Sequence, residues 1–578
     1  MLKCRMPESR NSSLASIIDG FEHPRKTLIC LALLIAVSVS QYANIIHNGF
    51  VWDSISVFSN DTSTRDLRNI PQFFTQGWAL GEDVEGEVSF SKYYRPLVKL
   101  MHALEYKAFG EGPMGYKFMS IFLNTLTVVL GFFLVRGIAG STAIALVASL
   151  LYAVSPARAE AVSWSYSDSY LLMSVFVLLA LLAYQRGRNM LSAFMFACAL
   201  LSWEGSILLP AIILAYEALV KRSRDLRSYQ KVLPFFALAL VYLILRNLIV
   251  GQLPVTGVPL PAYINTVFVI IKTALRAALA PEAPVTIYLY RPYTGLTPEV
   301  ITSYIAAAGL ALLALALWKR DRKGLFWLCW FLIWITISFN IGKLSEYLFA
   351  DKFLVLAALG PSVLLAGSLR LKRRFSVAAA IILSGLFIFH FSSTFQRNSY
   401  YKDSITYMEK ALEHEPRLKV GLYFLGGEYE KAGNYDAALR NFTALLEYYP
   451  NMSNTVKRVT GETYRQKARA LINTGDYASA LEAYERSFTY LPRESEDYNN
   501  MANMLFKMGR NEMAIENWQR SVELDPQNPE PLFNMGTALE RTGDYAGAIE
   551  SYQRFAGTDH PMKQKALDRI RELKTKLR

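Results

Sequence analysis

Up to about Ser393 the chain is a succession of apolar runs near span length, separated by short polar and basic segments, and beyond that point no further run of this kind occurs. In hydrocarbon every backbone N–H and C=O must be paired within its own segment or with a closed neighbour set. Continuous apolar runs without alternation meet that demand as helices. The first part is therefore expected to be a helical membrane domain, and the remainder a soluble one. With 578 residues of which 52% are hydrophobic, the chain is too apolar to be wholly soluble and too long for one domain.

Eleven spans are expected, at roughly 27–46, 114–135, 141–159, 169–184, 190–203, 206–220, 232–250, 300–318, 325–339, 347–369 and 375–392. Lys3, Arg5, Arg10, Arg25 and Lys26 precede the first, which lacks a small-residue cleavage site, so residues 1–26 read as a cytoplasmic tail before a retained anchor. Basic clusters at Lys221, Arg222, Arg224 and Arg227, at Lys319, Arg320, Arg322 and Lys323, and at Arg370, Lys372, Arg373 and Arg374 are assigned to the cytoplasm. The segment 263–280 is apolar but carries Lys272 and Arg276, and counting it as a span would put Lys319–Lys323 outside. It is read as an interfacial or re-entrant helix, a twelfth span remaining the alternative. The amino terminus then lies inside. The Asp53 loop (47–113), the segment 155–168, the turn Trp203–Glu204, the turn 340–346 and the C-terminal domain share the outer face.

The net charge of +13 is explained by these topological clusters rather than by a nucleic-acid surface. Cys4, Cys30, Cys198 and Cys329 have neither disulfide-framework nor metal-ligand spacing.

In the soluble part Gly475, Gly509 and Gly543 recur every 34 residues, each followed five residues on by Ala480, Ala514 or Ala548. That is the period of tetratricopeptide repeats, paired antiparallel helices stacked into a solenoid. Gly426 and Ala438 are the close-approach positions of the first full unit, and Phe442, Tyr484, Trp518 and Tyr552 the fillers. Ser404, Met408, Ala411 and Pro416 fit a preceding half-repeat. The domains are thus 1–26, 27–393 and 394–578, and the fold class all-α. The repeats offer a groove for an extended acceptor polypeptide and no catalytic residue.

Chemistry is expected at the outer ends of the spans. Asp53 follows Trp52 just after the first span, placed to accept a hydroxyl proton at the interface. Tyr94 and Arg95 lie in Tyr-Tyr-Arg-Pro-Leu; a guanidinium grips two phosphate oxygens at once, which an ammonium cannot. Arg246 and Lys352 are further phosphate-binding candidates. Glu160, Glu204 and Asp351 are ionisable at depths where such groups are paired or functional, with Arg158 a candidate partner for Glu160.

Taken together, the stretches NGFVWDS, SKYYRPLVKLMHALEYKAFGEGPMGYKFMSIFLN, SPARAEAVSWSYSDSYLL, LLSWEGSILLPAIIL and FADKFLVLAALG, followed by the repeats, resemble the GT-C superfamily of membrane glycosyltransferases. Within it they are most similar to the transmembrane and tetratricopeptide-repeat O-mannosyltransferase-like proteins. The resemblance implies a polyprenyl-phosphate sugar donor, an inverting transfer and a protein acceptor outside the cytoplasm. It implies Asp53 and Glu160 as catalytic residues, Arg95, Tyr94, Arg246 and Lys352 as the donor-phosphate site, and Glu204, Asp351 and Lys117 in support. Ser54 stands where the family has a second acid, Lys117 where it has histidine, and Asp168 where it has arginine. No metal ligand is named; a divalent cation stays open. The expected setting is a bacterial inner membrane with the repeats in the periplasm. The alternatives are a catalytically degenerate repeat scaffold for envelope assembly or export, and a glycan ligase or polymerase.

Overall fold

The computed structural model describes residues 24–55, 57–58, 61–80, 91–251, 259–280, 287–289, 293–339, 347–370, 373–451 and 454–577. Cys4, Lys3, Arg5, Arg10, Lys372 and the turn 340–346 lie outside them. The described residues form an overwhelmingly helical chain that divides into two compact units, Met1–Leu418 and Lys419–Arg578.

Among the described residues of the first unit, eight helices are long and apolar enough to cross a membrane: Pro24–Ile45, Pro113–Ala139, Ser165–Gln185, Leu226–Val250, Leu260–Leu279, Pro298–Arg320, Arg322–Phe339 and Val377–Tyr401. Two bent pairs, Thr142–Ala153 with Pro156–Ser163 and Asp351–Ala357 with Leu359–Arg370, raise the number to ten if each is one span. This is a multi-pass membrane protein. Ile305, Leu312 and Leu315 on one helix and Ile381, Ile382 and Ile388 on another are exposed, an apolar belt suited to lipid rather than water.

Two expectations need correction. The run 206–220 is not one span-length helix; it breaks into a 3-10 stretch (Glu204–Leu208), a short α-helix (Leu209–Ala215) and a π-helical turn (Tyr216–Lys221). The last apolar helix does not end near Ser392 but continues as Arg373–Asn398. Asn398 then ties it to the first: its side-chain amide donates to the Gln41 carbonyl (2.9 Å) and its carbonyl accepts from Asn48 (3.1 Å). The segment 263–280 is a continuous helix, Leu260–Leu279, long enough to span. Its contacts reach three other helices. Tyr263 donates to the Phe339 carbonyl (3.0 Å), Lys272 pairs with Glu299 (3.2 Å), and His390 bonds the Leu279 carbonyl (2.8 Å).

Two short antiparallel strand pairs interrupt the helices, Trp78–Leu80 with Ser91–Tyr93 and Ile287–Leu289 with Tyr347–Ala350. Each hands the chain to a cation two residues on, Arg95 and Lys352 respectively.

The second unit is a stack of paired helices from Lys419–Lys431 to Lys563–Lys576. The periodic glycines explain themselves here: Gly433, Gly475, Gly509 and Gly543 have φ of 73, 83, 78 and 86°, the left-handed conformation that closes the first helix of each pair. A Cβ on Gly426 would come within 2.6 Å of the Phe442 ring, so the small residue is required by helix approach. Phe442, Tyr484, Trp518 and Tyr552 are buried as expected.

Candidate active site

The first site element is the Arg95–Glu204 pair. Strand Ser91–Tyr93 delivers Arg95 to the start of helix Pro96–Phe109, and the break after helix Asn189–Ser202 delivers Glu204. The guanidinium meets the carboxylate with two bonds, Nε to Oε2 at 3.0 Å and Nη2 to Oε1 at 2.9 Å, and lies over the Tyr93 ring at 4.2 Å. Burial acts to raise the Glu204 pKa, but Arg95, with Arg246 adding its charge, holds the carboxyl below its usual range. Arg95 is 4% exposed and the Glu204 side chain 33%, so the pair opens outward on its acidic side.

The second element is Lys352, in the turn Asp351–Phe353. Glu160 takes its ammonium at 3.2 Å and its backbone N–H at 3.0 Å, while the ammonium stands over the Trp164 ring at 4.2 Å. Both Glu160 oxygens are so used, and at 2% exposure Glu160 anchors Lys352.

Asp53 completes the group. It opens the turn Asp53–Ile55 directly after Trp52, whose φ of 46° is a conformation a bulky residue avoids without compensating contacts. Those contacts are present: the Trp52 ring stacks on Trp164 (5.7 Å, 6° between planes), and the Trp52 backbone N–H donates to the Ser404 hydroxyl (2.9 Å). Asp53 is half-buried, and burial pushes its pKa up to about 6, with the Lys352 charge opposing the rise. Ser54 is fully buried, its hydroxyl accepting the Tyr166 N–H at 3.2 Å, so the side chain beside Asp53 fastens the Ser165–Ser167 turn.

Family models of tetratricopeptide repeats match residues 423–487 and 532–558, and one described as a TPR repeat matches 502–543. Protein O-mannosyl-transferase TMTC3 of Homo sapiens is 28% identical over 206 residues, 34% of this chain and 22% of the relative. Protein O-mannosyl-transferase Tmtc1 of Drosophila melanogaster is 30% identical over 183 residues, 31% and 20%. The chain resembles the repeat-bearing protein O-mannosyl-transferases. The match spans about a fifth of the length of these curated O-mannosyl-transferases. Among solved structures, YrrB, a TPR protein with an unusual peptide-binding site, covers 29% of this chain at 18% identity with a TM-score of 0.22, and aligns over 81% of its own length.

The remaining expected site residues are held by the fold. Tyr94 is buried and donates to the Phe74 carbonyl (3.0 Å). Lys117 is buried on helix Pro113–Ala139, giving its ammonium to the Ser163 carbonyl (2.6 Å). Asp351 is fully buried and paired with Arg397 at 2.8 Å. Arg158 does not partner Glu160: it bonds Asn124 and the Val355 carbonyl and stacks over Tyr152 at 3.9 Å. Arg246 is half-buried, near enough to Glu204 for its charge to be felt there.

Arg397 and Asn398 went unread in the sequence because they lie past the expected end of the last span. Also missed were His102 and Glu105, which look like ordinary polar positions of an amphipathic helix. The repeats carry a cavity of about 330 Å³ lined by Asn500, Asn503, Asn534, Thr537, Lys507 and Trp518, among others. Its asparagines offer donors and acceptors together, the complement of an extended peptide backbone.

Proposed function

We propose that the chain is an inverting GT-C-type glycosyltransferase that moves a sugar from a polyprenyl phosphate to a Ser or Thr hydroxyl of a protein on the non-cytoplasmic face. The observation that carries the reading is the meeting of a half-buried carboxylate, Asp53, with Lys352 acting on its charge, at a site where Glu160 and Glu204 hold two cations in place. The protein acceptor and the mannosyl class of transfer are taken from the O-mannosyl-transferases the chain resembles.

In this mechanism Asp53 accepts the hydroxyl proton while the oxygen forms its bond to the anomeric carbon. The bond from that carbon to the phosphate oxygen breaks on the opposite face, and the lipid phosphate leaves with an added negative charge. Lys352, Arg95 and Arg246 offset that charge, and Glu160 positions Lys352 through both its oxygens. Preset cations cost no reorganisation at the moment of reaction. The asparagine-lined cavity of the repeats takes the acceptor segment and raises its local concentration. Helix Leu260–Leu279, which carries Lys272 and Arg276, lies at the membrane surface in this reading, which keeps Asp53, Glu204 and Lys352 on one face. A bacterial inner membrane with periplasmic repeats is the setting proposed.

The buried Ser54, in place of a second acid, favours a second reading, a membrane-anchored repeat scaffold without transfer activity. Exported proteins from strains carrying Asp53→Asn or a deletion of 419–578 separate the two. Loss of O-linked glycan with Asp53→Asn supports the enzyme. Unchanged glycan with Asp53→Asn, together with an assembly or export defect from the deletion alone, supports the scaffold.

A further inference from the structure

His102 and Glu105 stand three residues apart on helix Pro96–Phe109, on one face of it, and Asp168 is the first residue of helix Asp168–Gln185. A ring nitrogen of His102, a carboxylate oxygen of Glu105 and one of Asp168 all lie within 4.8 Å of one another. The three side chains are 1, 1 and 0% exposed. Among the described residues, both nitrogens of His102, both oxygens of Glu105 and Oδ2 of Asp168 have no hydrogen-bond partner. Buried polar atoms are nearly always paired, and five unpaired atoms on three side chains that meet within 4.8 Å call for a specific explanation.

The surroundings narrow it. The His102 ring is fixed by edge contacts with Phe58 (4.7 Å) and Trp78 (5.7 Å), and Oδ1 of Asp168 accepts the Ser120 hydroxyl at 2.6 Å. The Ser120 bond is of the kind that orients a carboxylate ligand at a metal centre. Lys117 supplies one positive charge that acts on Asp168, its own hydrogen bond going to Ser163, against two carboxyl groups. Asp61 and Lys99 also act on His102, with opposite signs. The His102 imidazole is sealed from solvent with both ring nitrogens unpaired among the described residues, leaving a lone pair to give.

We propose that His102, Glu105 and Asp168 bind a divalent transition-metal cation of the zinc type, which pins the outer-loop helix to the start of the helix Asp168–Gln185. A neutral imidazole with two carboxylates is a donor set for such ions, with bonds of about 2.0–2.2 Å. The sealed position assigns it a structural role. It is separate from the proposed transfer, and its ligands include two residues at which no site was expected.

The test uses the full chain purified in detergent with a non-histidine tag, exposed to Zn²⁺, and then washed free of unbound metal. Elemental analysis is expected to find zinc retained by the native chain and lost from Glu105→Gln and His102→Gln. Replacing zinc with Co²⁺ is expected to give the visible absorption of a low-coordinate nitrogen and oxygen site in the native chain. A thermal midpoint that falls on chelation and returns with Zn²⁺ supports the assignment as well. A folded native chain that retains no zinc and shows no cobalt spectrum overturns it, and implies a proton shared between Glu105 and Asp168. Equal zinc in the native chain and both variants overturns it also. The native measurements stand even if a variant fails to fold.

Discussion

Asp53 gives the most direct residue-level consequence. A general base works when ionised, and burial raises this carboxyl to about 6. Transfer should therefore rise with pH up to about 6 and level off above it, roughly tenfold per unit on the acid side. Lys352 opposes the rise, so Lys352→Met should move the inflection to higher pH as well as lower the plateau; a pH–rate profile of each protein checks both. Arg95→Lys keeps the charge but forfeits one of two bonds to Glu204, and a loss on the order of 10²-fold in turnover is expected, read by steady-state kinetics. These residues were legible in the sequence because aspartate, arginine and glutamate at the ends of apolar helices are costly unless paired or used. Their partners were not legible. Lys352 takes Glu160 and Arg397 takes Asp351 through contacts nearly 200 and 46 residues apart, which no local spacing encodes.

At the scale of elements, the repeats were read well because their determinants are local: a glycine with positive φ, an alanine and an aromatic at fixed offsets. Trp518 is buried, with its indole N–H donating to Asn499 at 3.1 Å. Trp518→Ala should cost about 3–5 kcal/mol in the unfolding free energy of residues 419–578, measured by urea titration. Asn503 bonds Asn534 and lines the cavity. Asn503→Ala should weaken binding of an acceptor peptide without a comparable fall in stability, which titration calorimetry and the same urea series distinguish. The broken helices were read less well. The run 206–220 is apolar throughout, yet Glu217 within it collects bonds from Tyr184, Lys221 and Ser223, and the π-helical turn Tyr216–Lys221 carries it. Hydropathy registers the apolar length and not the break.

For the whole molecule, the apolar runs specified a polytopic membrane protein, but not which runs cross. Length and composition admit Leu260–Leu279 as a span, although Lys272 and Arg276 led the sequence reading to an interfacial helix. The account's central claim concerns the site that this arrangement assembles. It is tested most directly by reconstituting the full chain with a polyprenyl-phosphate mannose and a Ser/Thr peptide, and following both transfer and product anomer. The account predicts label on the peptide in the anomeric configuration opposite to the donor's, and a fall of about 10²–10⁴-fold with Asp53→Asn. Transfer at an unchanged rate in Asp53→Asn, or retention of configuration, would contradict it.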